Sequence, residues 1–523
     1  MKKRKSVGTA KLQSVRRPKM EKLDERALWH RIGDLRDDVA LQGSRRFEAW
    51  HPSIVRRSFL LAAKNLAHYL ALRAHDLSGV QVALSEHGLS SLGRCEPHVL
   101  SSLDAVIEAL GRISGQKGKG FPPAGWNSSR TAVLTAQSEA IFGPDPTGPR
   151  SRIMVTLGTD AASDPAIVRD MIAAGADCAR INCAHDDAET WQAMIANVRK
   201  AARALKRECR VVMDLAGPKI RVASVRGPGK HRVNKGDAFD LVQDERLPAD
   251  KGVVTITCNG FDPVARIKVG QQMWINDGKI GAVVVGRVRQ GVRFEVKHVR
   301  PTGARLKVGK GLNFPDLDLD IPPLTEKDLR DLDFVATHAD IVGLSFVQRP
   351  KDIVWLQQEL AKRLGRRPLP PLIIKVETRL GVANLPDLMV QAAGRQPTAV
   401  MIARGDLAVE LGLQHLSEVQ EQLLWLCEAA QIPVVWATEV LDGLVKTGIP
   451  SRAETTDAAM GQRAECVMLN KGPHVADAVR FLDNVLRQMD KHVNKKSPLL
   501  GPLSVWSARV SDGAKAKPRK LAG

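Results

Sequence analysis

Eight short, almost unbroken apolar runs mark the chain at 152–158, 178–184, 211–216, 341–347, 372–377, 399–405, 433–438 and 466–471. Runs of this length, rich in Val, Ile, Ala and Met and closing mostly on polar or glycine residues, read as strands buried on both faces. Each is followed by a helix-length segment or by an insertion. Strands alternating with helices in this way close into a parallel barrel, so the pattern predicts an α/β fold of the TIM (β/α)8 barrel type. Barrels of this kind carry their chemistry at the rim where strands end. Arg180, Asn182, Asp214, Lys375, Glu377, Asp406 and Thr438 all fall at such ends, and the pattern expects them to converge on one site.

The remaining sequence divides around those runs. Residues 58–76 place Leu60, Ala63, Leu66, Leu70 and Ala74 at three- to four-residue intervals, and 99–110 repeats the theme, so the region from 26 to 147 is expected to be a helical module with a Gly/Pro/Ser-rich connector at 111–129. No catalytic constellation lies in it; packing, self-association and regulation all remain open as its role. Between the third and fourth barrel strands, residues 222–312 alternate Val and Ile with polar residues and glycine turns, which predicts a small inserted β-barrel at the catalytic rim, a lid. The barrel is then expected in two parts, 148–221 and 313–493, the second ending in one helix over 475–493.

Composition narrows the class. With 523 residues, 44% hydrophobic and 26% charged, the chain has the make-up of a soluble multidomain protein. It has no apolar stretch near the roughly 20 residues that span a bilayer and no apolar core behind its basic start, so a cytoplasmic location and no membrane partner are expected. The net charge of +21 invites a nucleic-acid reading. Its location argues otherwise: the first 20 residues carry eight Lys or Arg and no acid, and 491–523 carry eight against one. Segments 1–25 and 494–523 therefore read as solvated basic tails, with no specific nucleic-acid partner implied. Seven cysteines without CxxC spacing, mostly inside apolar runs, are expected to be buried reduced thiols.

The chemistry begins with Lys375-Val376-Glu377 at the end of the fifth run and Arg404-Gly405-Asp406 at the end of the sixth. Strand alternation puts Lys375 and Glu377 on one face, and carboxylates from neighbouring strands, Glu377 and Asp406, suit a hard cation, Mg2+ first and Mn2+ as an alternative. A helix opening after Arg404 would add backbone N–H groups as an anion seat. Arg180 and Arg221 add guanidinium forks that match phosphate oxygens. Together they outline a cavity for a small, highly charged phosphorylated acid.

These strings resemble the pyruvate kinase family. The motifs fall in the family order: Ile-Met-Val-Thr-Leu-Gly at 153–158, Ala-Arg-Ile-Asn-Cys-Ala-His at 179–185, Met-Asp-Leu-Ala-Gly-Pro-Lys-Ile-Arg at 213–221, Ile-Asn-Asp-Gly at 275–278, Gly-Lys-Gly-Leu-Asn-Phe-Pro at 309–315, Ile-Ile-Lys-Val-Glu-Thr at 373–378, Met-Ile-Ala-Arg-Gly-Asp-Leu at 401–407 and Trp-Ala-Thr-Glu-Val-Leu at 436–441. The resemblance implies phosphoryl transfer from phosphoenolpyruvate to ADP, giving pyruvate and ATP, in a protein that is a homo-oligomer. It implies metal binding by Glu377 and Asp406, and substrate binding by Arg180, Lys375, Ala403, Arg404, Gly405, Asp406 and Thr438. Catalytic roles fall to Lys375, Thr438, Arg180 and Arg221, and nucleotide contacts to His185, Arg221 and Lys310.

Departures from the family pattern are equally specific. Many members hold K+ with a set of which Asn182 and Asp214 remain here, whereas Ala184 and Leu215 replace oxygen ligands and Lys219 stands where a glutamate is usual. The resemblance then implies that K+ is not required, Lys219 supplying the missing charge. Asn470-Lys471-Gly472-Pro473-His474 replaces the common Ser-Gly-Glu-Thr-Ala, Glu439-Val440 replaces Gln-Met, and the usual carboxy-terminal regulatory domain is expected to be absent. Two other functions stay open: a metal-dependent pyruvate-enolate aldolase or lyase, against which the lid and two arginines argue, and a non-catalytic phosphometabolite sensor, against which the retained Thr438 argues.

Overall fold

The structure, a computed structural model, describes residues 24–144, 151–244, 246, 252–259, 263–289, 291–495 and 497–498. Most of both expected basic tails lies outside these residues.

The eight apolar runs form eight parallel strands, Arg152–Thr156, Cys178–Asn182, Arg210–Asp214, Ile341–Leu344, Leu372–Val376, Thr398–Ala403, Val434–Val440 and Cys466–Leu469, closed into a barrel in sequence order with the first paired to the eighth. Alternation divides each strand between two cores. One face of each strand points outward into the helical ring. The inner face holds Met154, Cys178, Val212, Ile373, Met401, Val435 and Met468 in one buried cluster. Two residues further along the same inner faces come Thr156, Arg180, Asp214, Lys375 and Ala403. The barrel interior is thus apolar below and charged on top.

The module expected at 26–147 is helical: Glu25–Trp50, Leu60–Leu72, Ser78–Glu86, Val99–Ile113 and Trp126–Phe142. The connector expected to reach 129 is shorter, because the last helix begins at Trp126 after Gly125, whose φ of 80° marks the turn. The module shares a single hydrophobic core with the barrel's outer layer. Trp50 Nε1 donates to Asp387 Oδ1 at 2.7 Å, and the Arg56 amide donates to the Gly394 carbonyl at 2.7 Å. Asn65 Nδ2 bonds the Ala429 carbonyl at 2.9 Å. Ile141 and Phe142, at the end of the last module helix, join the inner barrel cluster from the floor. Of the roles left open, packing is the one these contacts express.

The insertion is a curled seven-stranded sheet running from Val222–Arg226 to Leu312–Asn313, with a separate core around the stacked rings of Phe239 and Phe294. Its two edge strands meet through the isolated Arg221–Gly311 bridge, which draws the sheet nearly shut. The final helix is Val475–Met489, four residues shorter than the pattern suggested, and the chain then turns into a short ribbon of Val493–Asn494 with Ser497–Pro498. All seven cysteines are free thiols, six buried and Cys258 partly so.

Candidate active site

Asp214 organises the rim. It is fully buried, accepts from Arg180 Nε at 2.7 Å and lies 3.4 Å from Lys375 Nζ. Burial opposes its ionisation, but the two cations outweigh that cost and hold its carboxyl below the ordinary aspartate range. Such a carboxylate fits here only because residue 343 is glycine: a Cβ there would stand 1.9 Å from Asp214 Oδ1. The same Oδ1 is buried without a hydrogen bond.

Around this hub the side chains form a chain of contacts. Arg180 Nη1 donates to Thr156 Oγ1 at 3.0 Å. Lys375 Nζ donates to Ser345 Oγ at 2.8 Å, Ser345 Oγ in turn donates to the Leu215 carbonyl at 2.7 Å, and Glu377 Oε1 lies 3.1 Å from the same ammonium. Burial pulls the Lys375 pKa down, yet Glu377 and Asp214 more than compensate, so the ammonium is held charged. Glu377 titrates in the other direction: burial, with Asp406 nearby adding like charge, pushes its carboxyl up despite Lys375 and the Phe346 N–H at 2.5 Å. Two carboxylates repelling each other at the rim are a donor set that a hard divalent cation relieves. No cluster of three or more His, Cys, Asp or Glu suited to a metal occurs among the described residues, so a cation at Glu377 and Asp406 depends on water or substrate oxygens for its other ligands.

The seventh strand ends under strain. Register shifts between Trp436 and Val440, and Thr438, Glu439 and Leu441 take φ values of 67°, 58° and 50°. For a β-branched residue this is a genuine outlier. It turns the Thr438 hydroxyl to accept the Gly405 N–H at 2.7 Å, at the first turn of the helix Arg404–Leu411. The sixth run's expected helix opening is therefore present.

A cleft of about 1170 Å3 between rim and lid collects Arg180, Lys375, Glu377, Asp406 and Thr438, along with Asn182, His185, Lys219, Arg221, Ala403 and Gly405. Two expected residues lie elsewhere. The Arg404 side chain turns away from the cleft: it grips Asp457, donates to the Ala437 and Thr438 carbonyls at 3.0 and 2.8 Å, and lies 4.4 Å over the Trp436 ring. With little access to solvent, the guanidinium takes its partners from this side. Lys310 lines an adjoining hollow of the lid rather than the cleft. Lys219 sits with its ammonium 2.7 Å from Asp406 Oδ1 and 3.7 Å from Asp277. Burial lowers the His185 pKa, and Lys471 adds to the shift.

Ser345 and Lys471 are the rim residues that sequence reasoning missed as site members. Ser345 follows the last residue of the fourth barrel strand, in a run from which, as from the first and the eighth, no site residue was singled out. Lys471 was noted as a departure, and its place in the cleft follows from the eighth strand ending there.

Fold and rim together define a (β/α)8-barrel enzyme with an inserted β lid closing over a cleft of mixed cationic and acidic side chains. Comparison with known proteins narrows this further. Residues 148–475 match the family description "Pyruvate kinase, barrel domain", and the chain belongs to the pyruvate kinase family, a family of phosphotransferases. It is 30% identical over 350 residues to the pyruvate kinase of Agrobacterium vitis, covering 66% of this chain and 70% of that one. To the pyruvate kinase of Bacillus licheniformis it is 29% identical over 371 residues, spanning 69% of this chain and 61% of that protein's length. A crystal structure of a pyruvate kinase from Cryptosporidium parvum shares the fold with a TM-score of 0.60 at 24% identity, over 68% of this chain and 73% of the other. No helix among the described residues is long and apolar enough to cross a membrane.

Proposed function

We propose that this protein transfers the phosphoryl group of phosphoenolpyruvate to ADP, with Mg2+ (or Mn2+) as cofactor and without a requirement for K+. The observation that carries the reading is the convergence of Arg180, Lys375, Glu377, Asp406 and Thr438 on one lid-covered cleft, drawn from the ends of four different strands. In the reaction the bond from phosphorus to the enol oxygen breaks, a bond to the terminal oxygen of ADP forms, and the enolate takes a proton at carbon. Phosphoryl transfer of this kind needs positioning and charge neutralisation far more than covalent catalysis.

Arg180, fixed by Asp214 and Thr156, presents its remaining N–H groups to the phosphate. Lys375 is held charged by its two carboxylates and neutralises the enolate and transferring oxygens. Glu377 and Asp406 would hold the divalent cation, which would supply charge neutralisation for the substrate oxygens. The Thr438 hydroxyl, anchored by Gly405, faces the enol carbon and takes part in delivering its proton; Ala403 and Gly405 shape the carboxylate seat with their backbone. Arg221 and His185 approach the nucleotide side, with Lys310 reaching it from the lid. Asn182 and Asp214 remain from a monovalent-cation set, and Lys219 brings a fixed ammonium into the same rim.

Purified full-length protein supplied with phosphoenolpyruvate, ADP and Mg2+, with pyruvate followed through lactate dehydrogenase, tests this directly. Turnover that falls on the order of a thousandfold in Lys375→Met, as expected for loss of a main transition-state charge, supports it. Absence of pyruvate formation from the wild-type protein, or full activity in that variant, ends it.

A further inference from the structure

At the end of the barrel opposite the catalytic cleft, the helical module and the barrel enclose a cavity of about 1020 Å3. Its barrel wall comes from residues that precede strands, among them Gln431 before the seventh and Gln462 and Glu465 before the eighth. The module supplies the other wall through Leu92, Val106, Ala109, Trp126 and Leu134, all outside the stretch 148–475 that matches the family barrel. No residue of the cavity is shared with the cleft.

Gln431 is the least expected group there. It is 2% exposed, follows the C-cap of the helix Leu413–Ala429, and takes a φ of 53°, the left-handed conformation in which glycine is usual after a helix. Its Nε2 donates to the Glu428 carbonyl at 2.7 Å, which fixes the amide, since the reversed group would set oxygen against oxygen. The remaining Oε1 is buried without a hydrogen-bond partner among the described residues. Gln462 repeats the arrangement: Nε2 donates to Asp490 Oδ1 and to the Val493 carbonyl, both at 2.8 Å, and its Oε1 is again buried and unpartnered. The two glutamines stand four residues before Val435 and Cys466, which pair across the seventh and eighth strands. Two oriented acceptors thus sit at the starts of neighbouring strands, and each carries a desolvation cost that a donor would remove.

We propose that this cavity binds an uncharged nucleoside or nucleobase whose exocyclic amine donates to the Gln431 and Gln462 oxygens. The charged side chains lining it balance, Arg94, Arg152 and Lys495 against Glu428, Glu465 and Asp490, so the lining favours neither a polyanion nor a polycation. Trp126, edge-on to His98 at 4.5 Å, brings an aromatic side chain to the module wall for a flat ring, and Thr135 and Ser138 of the same helix bring hydroxyls for a ribose. The volume is at the upper end of small-molecule sites. That helix ends in Ile141 and Phe142, inside the apolar cluster of the barrel floor, so a ligand that orders it acts on the barrel interior as well. The inference concerns binding at the barrel floor and does not depend on the reaction proposed above.

The test uses the full-length protein and adenosine, titrated calorimetrically and followed by amide hydrogen exchange. Adenosine is expected to bind equally with and without saturating ADP, to slow exchange in residues 134–142, and to leave the helix Arg404–Leu411 unchanged. Inosine, which has a carbonyl in place of the amine, is expected to bind at least about tenfold more weakly, the scale of one hydrogen bond exchanged for a repulsion. Ala109→Phe, which fills the module wall, and Gln431→Gly, which removes the amide and suits the left-handed backbone, are each expected to weaken adenosine by roughly tenfold or more, the second without a fall in thermal midpoint. Displacement by ADP, protection at 404–411 instead of 134–142, inosine binding as well as adenosine, or unchanged binding in either variant would overturn the proposal. So would phenylalanine or spermidine binding more tightly than adenosine in an Ala109→Phe-sensitive manner, since the site would then recognise an ammonium group and not an uncharged ring amine.

Discussion

The Lys219 ammonium lies 2.7 Å from Asp406 Oδ1, so a residue five positions past the end of the third barrel strand reaches a carboxylate on the helix that follows the sixth. A fixed positive charge therefore stands beside one of the two acids proposed to hold the metal. Replacing it by Glu removes that charge and adds a carboxylate at the same rim. Lys219→Glu is expected to gain a response to K+, while wild-type turnover is the same in K+, Na+ and tetramethylammonium buffers. Coupled assays in the three salts measure this, and strong K+ stimulation of the wild type would refute the assignment.

Backbone strain at Thr438 gives a second expectation. A β-branched residue at φ 67° costs about 1–3 kcal/mol relative to a backbone that tolerates it. Thr438→Gly is expected to keep or raise the thermal midpoint while cutting turnover at least about a hundredfold, the scale of one lost positioned proton-transfer group. A variant that loses both stability and activity would show that the Gly405 contact, not the strain, dominates.

Arg404 acts at one remove. Its guanidinium joins Asp457 to the Ala437 and Thr438 carbonyls of the seventh strand, so it positions Thr438 without lining the cleft. Arg404→Met keeps the aliphatic stem over Trp436 but leaves Asp457 unpaired; because both ends are partly exposed, the stability loss is expected at roughly 2 kcal/mol. A structural role alone would end there. A positioning role predicts in addition a fall in kcat with little change in the KM for ADP.

The buried Asp214 sets an acid limb. Removing its charge in Asp214→Asn leaves Arg180 without its carboxylate and is expected to cost about 3 kcal/mol near neutral pH. The folded-state pKa lies below the ordinary aspartate value of about 3.9. Its contribution is thus complete above that value and is lost only as pH falls through the lower folded value. Urea unfolding of the two proteins should show a constant gap from neutral pH down to about 5 and a narrowing gap below about 4; a gap that closes near pH 6 contradicts the depressed pKa.

Much of this was legible in the residue order because barrel strands are buried on both faces, which makes them short, apolar and separable by eye. Alternation alone put Lys375 and Glu377 on one face, while the end of the sixth run supports a helix opening after Arg404 only as a conditional reading. The lid was equally visible, since its half-exposed strands alternate where barrel strands do not. The connector's end was misplaced because Trp126 opens its helix behind a glycine turn with no side-chain cap, leaving the usual polar start signal missing.

The sequence by itself determined which side chains stand at strand ends, since a period of two along buried strands admits no other assignment of faces. Tertiary structure alone decided what those side chains touch. Arg404 and Lys219 occupy equally plausible rim positions in the linear order, yet one turns outward to Asp457 and Trp436 and the other inward to Asp406. Likewise Arg232 and Arg305, more than seventy residues apart, become neighbours only when the lid's ribbon closes. Long flexible cations take their direction from whichever partner lowers the cost of their charge, and that partner comes from another part of the chain.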